Sequence, residues 1–241
     1  MSSQFSQARP TGEVQQLSRK SLKILSWTAN LKSDPVGEIA RWSDMRWPWA
    51  LIIFLSCALV VLAHNVFQVW LYMKPCEQCV YIRFGFLVIA LGGLITIINP
   101  KNLVLKLAGA VVGIYGLMCS VKLSTIHHAI HGDDMDAVFG MQGCSLEPHY
   151  PFRLPLEKWA SDWFLPTGDC GYDTAVVPDG TVLSDAQRFL INMYNSADSW
   201  YLVPAWKFMS MAQCCLLAFA VAMILIVILN GASLWALKRK A

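Results

Sequence analysis

The sequence predicts an all-α integral membrane protein, a four-transmembrane-helix bundle with a long loop on the translocated side between helices three and four. Three observations predict it. Hydrophobic residues make up 56% of the 241 positions and charged ones 15%, a balance too apolar for an ordinary soluble domain. Four stretches, Trp49–Trp70, Val80–Ile98, Leu103–Ile126 and Pro204–Leu229, each approach the roughly 20 residues that cross a hydrocarbon core of about 30 Å. Charge is segregated along the chain, although the net charge is only +3.

The N-terminal segment, 1–46, is polar and is expected on the cytoplasmic side. Within it Leu17–Leu31 interleaves Leu, Ile and Trp with basic residues, and a short helix on the inner leaflet competes with a disordered tail. The first apolar stretch starts too far along for a signal peptide, and no small-residue cleavage pattern follows it, so it is expected to remain as a helix. Arg41 and Arg46 precede span one, Lys101 and Lys106 mark the turn between spans two and three, and Lys238-Arg239-Lys240 ends the chain. The positive-inside rule then puts both termini and that turn in the cytoplasm. The segment His127–Val203 carries three basic residues against eleven acidic ones, as expected of a translocated loop. The chain thus divides into 1–46, a membrane domain over 47–230 that includes the outer loop 127–203, and a basic cytoplasmic tail over 231–241. No repeat is visible, and no basic patch with interleaved aromatics suggests nucleic-acid binding.

This topology sorts the eight cysteines. Cys57, Cys119, Cys214 and Cys215 fall inside spans, where a cysteine packs as a small hydrophobe, and no chemistry is assigned to them. Cys76, Cys79, Cys144 and Cys170 face outward, toward an oxidising compartment. Four cysteines allow three pairings. The local pair is Cys76-Glu77-Gln78-Cys79, and so small a ring is usually a labile, working disulfide. Cys144 and Cys170 are left to each other, and a loop of that size is equally what a structural staple closes. A zinc site fits poorly, since the second half lacks close ligand spacing, and no metal is expected. Covalent haem attachment would need His after Cys79, where Val80 stands.

Cys79 falls at the start of span two, where free helix-end amides and the helix dipole favour a thiolate. Arg83 follows at i+4 on the same face, about a turn deeper. As a bland reading it snorkels to headgroups; its phase with Cys79 favours instead a guanidinium that serves both a thiolate and a carbonyl of a reducible ring. His64 and Gln68, also i and i+4, put polar groups on one face near the outer end of span one, as helix-helix glue or as the lining of the same pocket.

The run Lys74-Pro75-Cys76-x-x-Cys79-x-Tyr81-x-Arg83, with Leu154-Pro155-Leu156-x-Lys158-Trp159 and Gly168-Asp169-Cys170, resembles the DsbB family of quinone-dependent thiol:disulfide oxidoreductases. Its Glu-Gln spacer and extended outer loop look like the DsbI branch. The resemblance covers nearly everything from span one to span four. It implies an inner-membrane disulfide oxidase whose quinone-coupled pair is Cys76 and Cys79 and whose partner-coupled pair is Cys144 and Cys170. It further implies that Arg83, Gln68 and His127 sit near the quinone, either ubiquinone or menaquinone. Leu154–Phe164 then corresponds to a short amphipathic segment on the outer membrane surface, with Trp159 and Trp163 suited to the interface. The implied partner is a periplasmic DsbA-like protein, a dedicated DsbL-type protein among the candidates, whose thiolate attacks Cys144. Such partners are strong oxidants, near about −120 mV, so the electron sink has to be more oxidising still.

Two departures have consequences. Glu77 replaces the apolar residue usual between the first two cysteines and is expected to disfavour a neighbouring thiolate. The stretch from Cys170 to Trp200 is longer than in the common form, which bears on partner choice. The rival functions are a relay delivering reducing electrons outward and a four-span scaffold or transporter subunit with structural disulfides. The resting redox state of the cysteines separates the first from an oxidase, and absence of thiol consumption marks the second.

Overall fold

The computed structural model describes residues 33–130, 145–168, 175–197 and 201–239 and, for residues 127–130, the backbone alone. The expected Leu17–Leu31 helix, Cys144 and Cys170 lie outside the described residues. Four helices are long and apolar enough to cross a membrane, over Trp47–Trp70, Glu77–Ile98, Leu103–Ile126 and Met211–Lys238, which makes this a multi-pass membrane protein.

A helix precedes the first span. Helix α1, Pro35–Ser43, starts where Asp34 accepts from the Gly37 N–H at 3.1 Å and proline occupies the first turn, and it packs against the last helix of the chain. At this end of the bundle Lys106 is only 3% exposed. Its Nζ donates to Asp44 at 2.7 Å, Ser233 at 2.9 Å and Ser43 at 3.1 Å, and the Ser43 and Ser233 hydroxyls also bond each other. A residue that reads as a topological marker in the sequence is thus the knot joining three elements.

Helix α2, Trp47–Leu62, continues without a break into a π-helical segment, Ala63–Trp70. Its widened turn is visible in the Leu71 N–H reaching back five residues to the Val66 carbonyl at 2.9 Å. Such π segments bulge one residue outward and recur at functional sites; this one carries both His64 and Gln68. Helix α3, Glu77–Ile98, and helix α4, Leu103–Ile130, form the most extensive pair in the bundle.

Apolar burial cannot drive helix association in lipid, so close packing must. On α3, a Cβ at Gly92 would meet the Gly109 carbonyl at 2.6 Å and the Gly113 nitrogen at 2.8 Å, both backbone atoms of α4. Gly92→Leu is therefore expected to pry α3 from α4 and cost at least about 1–3 kcal/mol, the usual range for overpacking; a lowered thermal midpoint in detergent is the measurement. On the other side of α3, Phe86 stacks on Phe219 with ring centroids 4.3 Å apart.

The segment between the third and fourth spans, the outer segment of the sequence-based topology, carries a 3-10 turn, Pro151–Arg153, and then short helices α5, Leu156–Trp159, and α6, Ser161–Phe164. Ala160 between them has φ −146°, ψ 67°, a non-helical break that separates the faces of the two tryptophans. Trp159 stays 69% exposed, whereas Trp163 turns inward and stacks on His64, ring centroids 3.9 Å apart. Both were expected to suit the interface; the break in the helix leaves Trp159 exposed and turns Trp163 into the bundle.

Helix α7, Asp185–Asn195, starts on a Ser184–Gln187 capping box and lies near the start of α3 through Ile191, which packs with Leu71 and Met73. The fourth span was expected from Pro204, yet 204–210 is not part of it. Strands β1, Tyr201–Val203, and β2, Phe208–Ser210, pair antiparallel, with Tyr201 opposite Ser210 and Val203 opposite Phe208. Helix α8, Met211–Lys238, begins only after them, on a Ser210–Gln213 capping box. Pro204 cannot donate a backbone N–H, and Lys207 turns left-handed at φ 47°. Hydropathy registers both the apolar hairpin and the helix as one run.

Candidate functional site

The site forms where α2, α3 and α8 converge beneath the short outer helices. Helix α3 starts at Cys76 itself: its backbone is extended (φ −77°, ψ 170°) and its Sγ accepts the Cys79 N–H at 3.3 Å. Cys76 occupies the position usually held by Ser, Asp or Asn, so the helix-end amide is aimed at the Cys76 sulfur. The two sulfurs lie 2.6 Å apart, and a disulfide closes between them without backbone movement. Cys76 is 5% exposed and Cys79 is half-buried.

One turn deeper, Arg83 is 5% exposed. Its Nη1 donates to Gln68 Oε1 at 2.7 Å and to the Trp163 carbonyl at 3.1 Å, and its Nη2 to the Ala63 carbonyl at 3.5 Å. Gln68 is held in turn, its Nε2 donating to the Asp162 carbonyl at 2.7 Å and its Oε1 lying 3.2 Å from His64 Nδ1. His64, Gln68 and Arg83 thus form one network, roofed by α6 through its backbone and through Trp163. Ion pairs among the described residues join Arg41 to Glu38, Lys106 to Asp44 and Arg239 to Asp34; Arg83 is in none of them. A buried cation held only by neutral carbonyl and amide oxygens is costly, and its environment favours an anion or a strong acceptor beside it.

Arg83 and Cys79 face a cavity of about 260 Å³ between α2, α3 and α8. Its wall is largely aliphatic and aromatic, with Ile82, Phe86 and Met211 among the apolar groups and Gln68, Lys74, Cys79 and Arg83 among the polar ones. A mostly apolar chamber with a few aimed polar groups is the usual form of a small-molecule site. Cys214 and Cys215, to which sequence reasoning assigned no role, line the same wall; only the register of α8 against α3 reveals this. A wider outer groove of about 550 Å³, between 146–150 and 153–158, contains none of the expected site residues.

The expected residues divide accordingly. Cys79, Arg83 and Gln68 come together at the cavity, Cys76 lies against Cys79, and His64 backs Gln68. His127 falls in the last turns of α4, where only the backbone is described. Sequence reasoning missed the roles of Glu77, Tyr81 and Tyr150. The Glu77 carboxylate is buried and accepts the Tyr81 hydroxyl at 2.8 Å and the Ser145 N–H at 2.7 Å. Tyr150, in the outer segment, donates its hydroxyl to the Phe164 carbonyl at 2.6 Å. Burial pushes that hydroxyl's pKa upward, which keeps it a neutral donor.

Comparisons with known proteins agree with this architecture. The family model described as "Disulfide bond formation protein DsbB" matches residues 45–229. The chain is 52% identical over 213 residues to the protein-disulfide oxidoreductase DsbI of Escherichia coli O1:K1, covering 87% of this chain and 95% of that one. It is 50% identical over 213 residues to DsbI of Salmonella typhimurium, covering 87% and 94%. To DsbI of Lelliottia amnigena it is 53% identical over 152 residues, covering 61% and 69%. With a cysteine pair at the start of a membrane helix and a family match over nearly all its spans, the chain is a disulfide oxidoreductase of the DsbB family, in its DsbI branch.

Proposed function

We propose that this protein is an inner-membrane disulfide oxidase that reoxidises a periplasmic DsbA-like dithiol protein and passes the electrons through two cysteine pairs to a membrane quinone. Both termini lie in the cytoplasm and the Cys76–Cys79 end of the bundle in the periplasm, in keeping with the charge segregation of the sequence. The observation that carries the proposal is Cys79 and a buried Arg83, which makes no ion pair among the described residues, lining one apolar cavity. A quinone is a flat apolar ring with carbonyl acceptors, so the donor set fits it: Arg83, supported by Gln68, has N–H groups for a carbonyl, and Phe86 and Ile82 supply apolar wall. A bound quinone supplies the two-electron acceptor that keeps the Cys76–Cys79 pair oxidised. His127 is assigned to the same region on family resemblance.

The chain's own part is thiol chemistry. A partner thiolate attacks the Cys144–Cys170 disulfide at Cys144, and the partner's second thiolate resolves the mixed disulfide, leaving the partner oxidised and Cys144 and Cys170 as thiols. Those thiols exchange with Cys76–Cys79, which becomes the reduced pair. Arg83 is suited to stabilise negative charge at the Cys79 side of the cavity, where water is scarce and Coulombic attraction is strong. Trp163 and α6 roof the network and shield it from bulk water.

Cys170→Ala is expected to accumulate a disulfide-linked adduct on Cys144 with a DsbA-like partner whose own second cysteine is replaced, since neither chain then keeps the thiol that resolves it and Cys76–Cys79 takes up the two electrons. The adduct is seen as a shifted band on non-reducing gels and identified by mass spectrometry. Adducts forming only through Cys76 would reverse the order of the pairs. Supplying the purified protein with ubiquinone or menaquinone and following partner oxidation decides which quinone serves.

A further inference from the structure

The residues flanking Cys76 each hold a different arm of the outer segment. On one side, the Pro75 carbonyl accepts two backbone amides, from Thr167 at 3.0 Å and Gly168 at 3.1 Å. Gly168 has no room for a side chain, since a Cβ there would meet the Lys74 carbonyl at 2.6 Å. On the other side, the Glu77 carboxylate accepts the Ser145 N–H at 2.7 Å, and Tyr81, itself bonded to Glu77, accepts the His149 N–H at 2.5 Å. Ser145 follows Cys144 in the chain and Gly168 precedes Cys170 by two positions. Glu77 is 6% exposed, and both of its oxygens are committed to these bonds. A buried carboxylate tied to a donor 68 positions away is costly unless the hold itself matters.

We propose that Glu77 is a positioning residue for electron transfer between the two cysteine pairs: with Tyr81 it tethers the Ser145–His149 arm to the start of α3, while Pro75 tethers the arm ending at Gly168. The proposal rests on the two-pair relay described above. In that relay one thiolate of the Cys144–Cys170 dithiol displaces a sulfur of the Cys76–Cys79 disulfide, forming a mixed disulfide. The second thiolate then displaces it. One disulfide forms and one breaks, and two electrons move inward while the two protons released by the outer thiols are balanced by two taken up at Cys76 and Cys79. Holding both arms against the residues on either side of Cys76 raises the effective concentration of the two pairs for each other. The spacer carboxylate, expected from sequence to act on the cysteines through its charge, acts as a hydrogen-bond anchor.

Rapid mixing of the oxidised, detergent-solubilised protein with a reduced DsbA-like partner, followed by acid quench, alkylation and peptide mass spectrometry, separates the steps. In Glu77→Ala and Gly168→Ala, reduction of Cys144–Cys170 is expected at the wild-type rate, and reduction of Cys76–Cys79 is expected to lag by about tenfold, as fits loss of a charge-assisted hydrogen bond. Glu77→Gln, whose amide oxygen accepts the same N–H, is expected to stay within about threefold of wild type. Transfer at the wild-type rate in Glu77→Ala overturns the proposal, and so does Glu77→Gln lagging as far as Glu77→Ala, which would assign the effect to charge. In a Cys144→Ala/Cys170→Ala background driven by a small dithiol, Glu77→Ala is expected to leave turnover unchanged; a collapse there makes Glu77 a support of the inner site and overturns the tether. If the wild type itself shows no exchange between the pairs, the relay fails and takes the tether with it, whereas a normal wild type with an unaffected Glu77→Ala sinks the tether alone.

Discussion

Cys79→Ser is expected to lower quinone-dependent oxidation of a reduced DsbA-like partner to background, a loss on the order of a thousandfold or more, as when a covalent nucleophile is removed. The substitution keeps the side-chain shape and removes the atom that opens onto the cavity beside Arg83. Cys76→Ser is expected to be equally inactive, since a lone thiol cannot close the disulfide, although serine is itself a good helix cap and should keep α3 intact. Thermal unfolding of both variants close to wild type, together with absent turnover in an assay following quinone absorbance, is the expected combination. Undiminished turnover in either would remove Cys76–Cys79 from the electron path.

Arg83→Met is expected to weaken the quinone-linked step by between about ten- and a hundredfold, the range for losing hydrogen bonds from a charged donor. Methionine fills the stem's volume and deletes the guanidinium, which leaves Gln68 Oε1 and the Trp163 carbonyl without their donor. The loss should appear as a raised KM for quinone along with a lower kcat, because Arg83 is assigned both to holding a carbonyl and to stabilising developing charge. Arg83→Lys is expected to recover only part, since an ammonium cannot bridge Gln68 and the Trp163 carbonyl with one planar fork. Formation of the Cys144 adduct in the Cys170→Ala background should be unaffected by either change, which separates the cavity from partner capture. An Arg83→Met variant with wild-type KM and kcat would return the arginine to a packing role.

What was legible in the sequence followed from local rules. Four spans are visible because lipid demands long apolar runs, and the Cys79–Arg83 relation is visible because residues four apart share a helix face. The fourth span's start was misplaced because hydropathy cannot distinguish the Tyr201–Ser210 hairpin from a helix of equal apolarity. Trp159 and Trp163 read alike as interface residues because the break at Ala160, which separates them, leaves no compositional mark. Glu77 was read through its charge alone, since its partner Ser145 lies 68 positions on and nothing local announces that contact. Cys214 and Cys215 reach the cavity wall through the packing of α8, which is likewise non-local. His64 and Gln68 are legible as a pair, but the bond from Arg83 to Gln68, which His64 backs, joins residues 15 positions apart and is made from a π-helical segment that periodicity does not show.

In the proposed relay the Cys76 sulfur performs two tasks with one set of lone pairs, closing the first turn of α3 by accepting the Cys79 N–H and taking part in disulfide chemistry. Each bond it makes or breaks with another cysteine is then expected to change how well it terminates the helix, coupling the redox state of the pair to the opening of that turn. The backbone amide of Cys79 becomes a reporter: its hydrogen-exchange rate should step up and down as electrons arrive and leave.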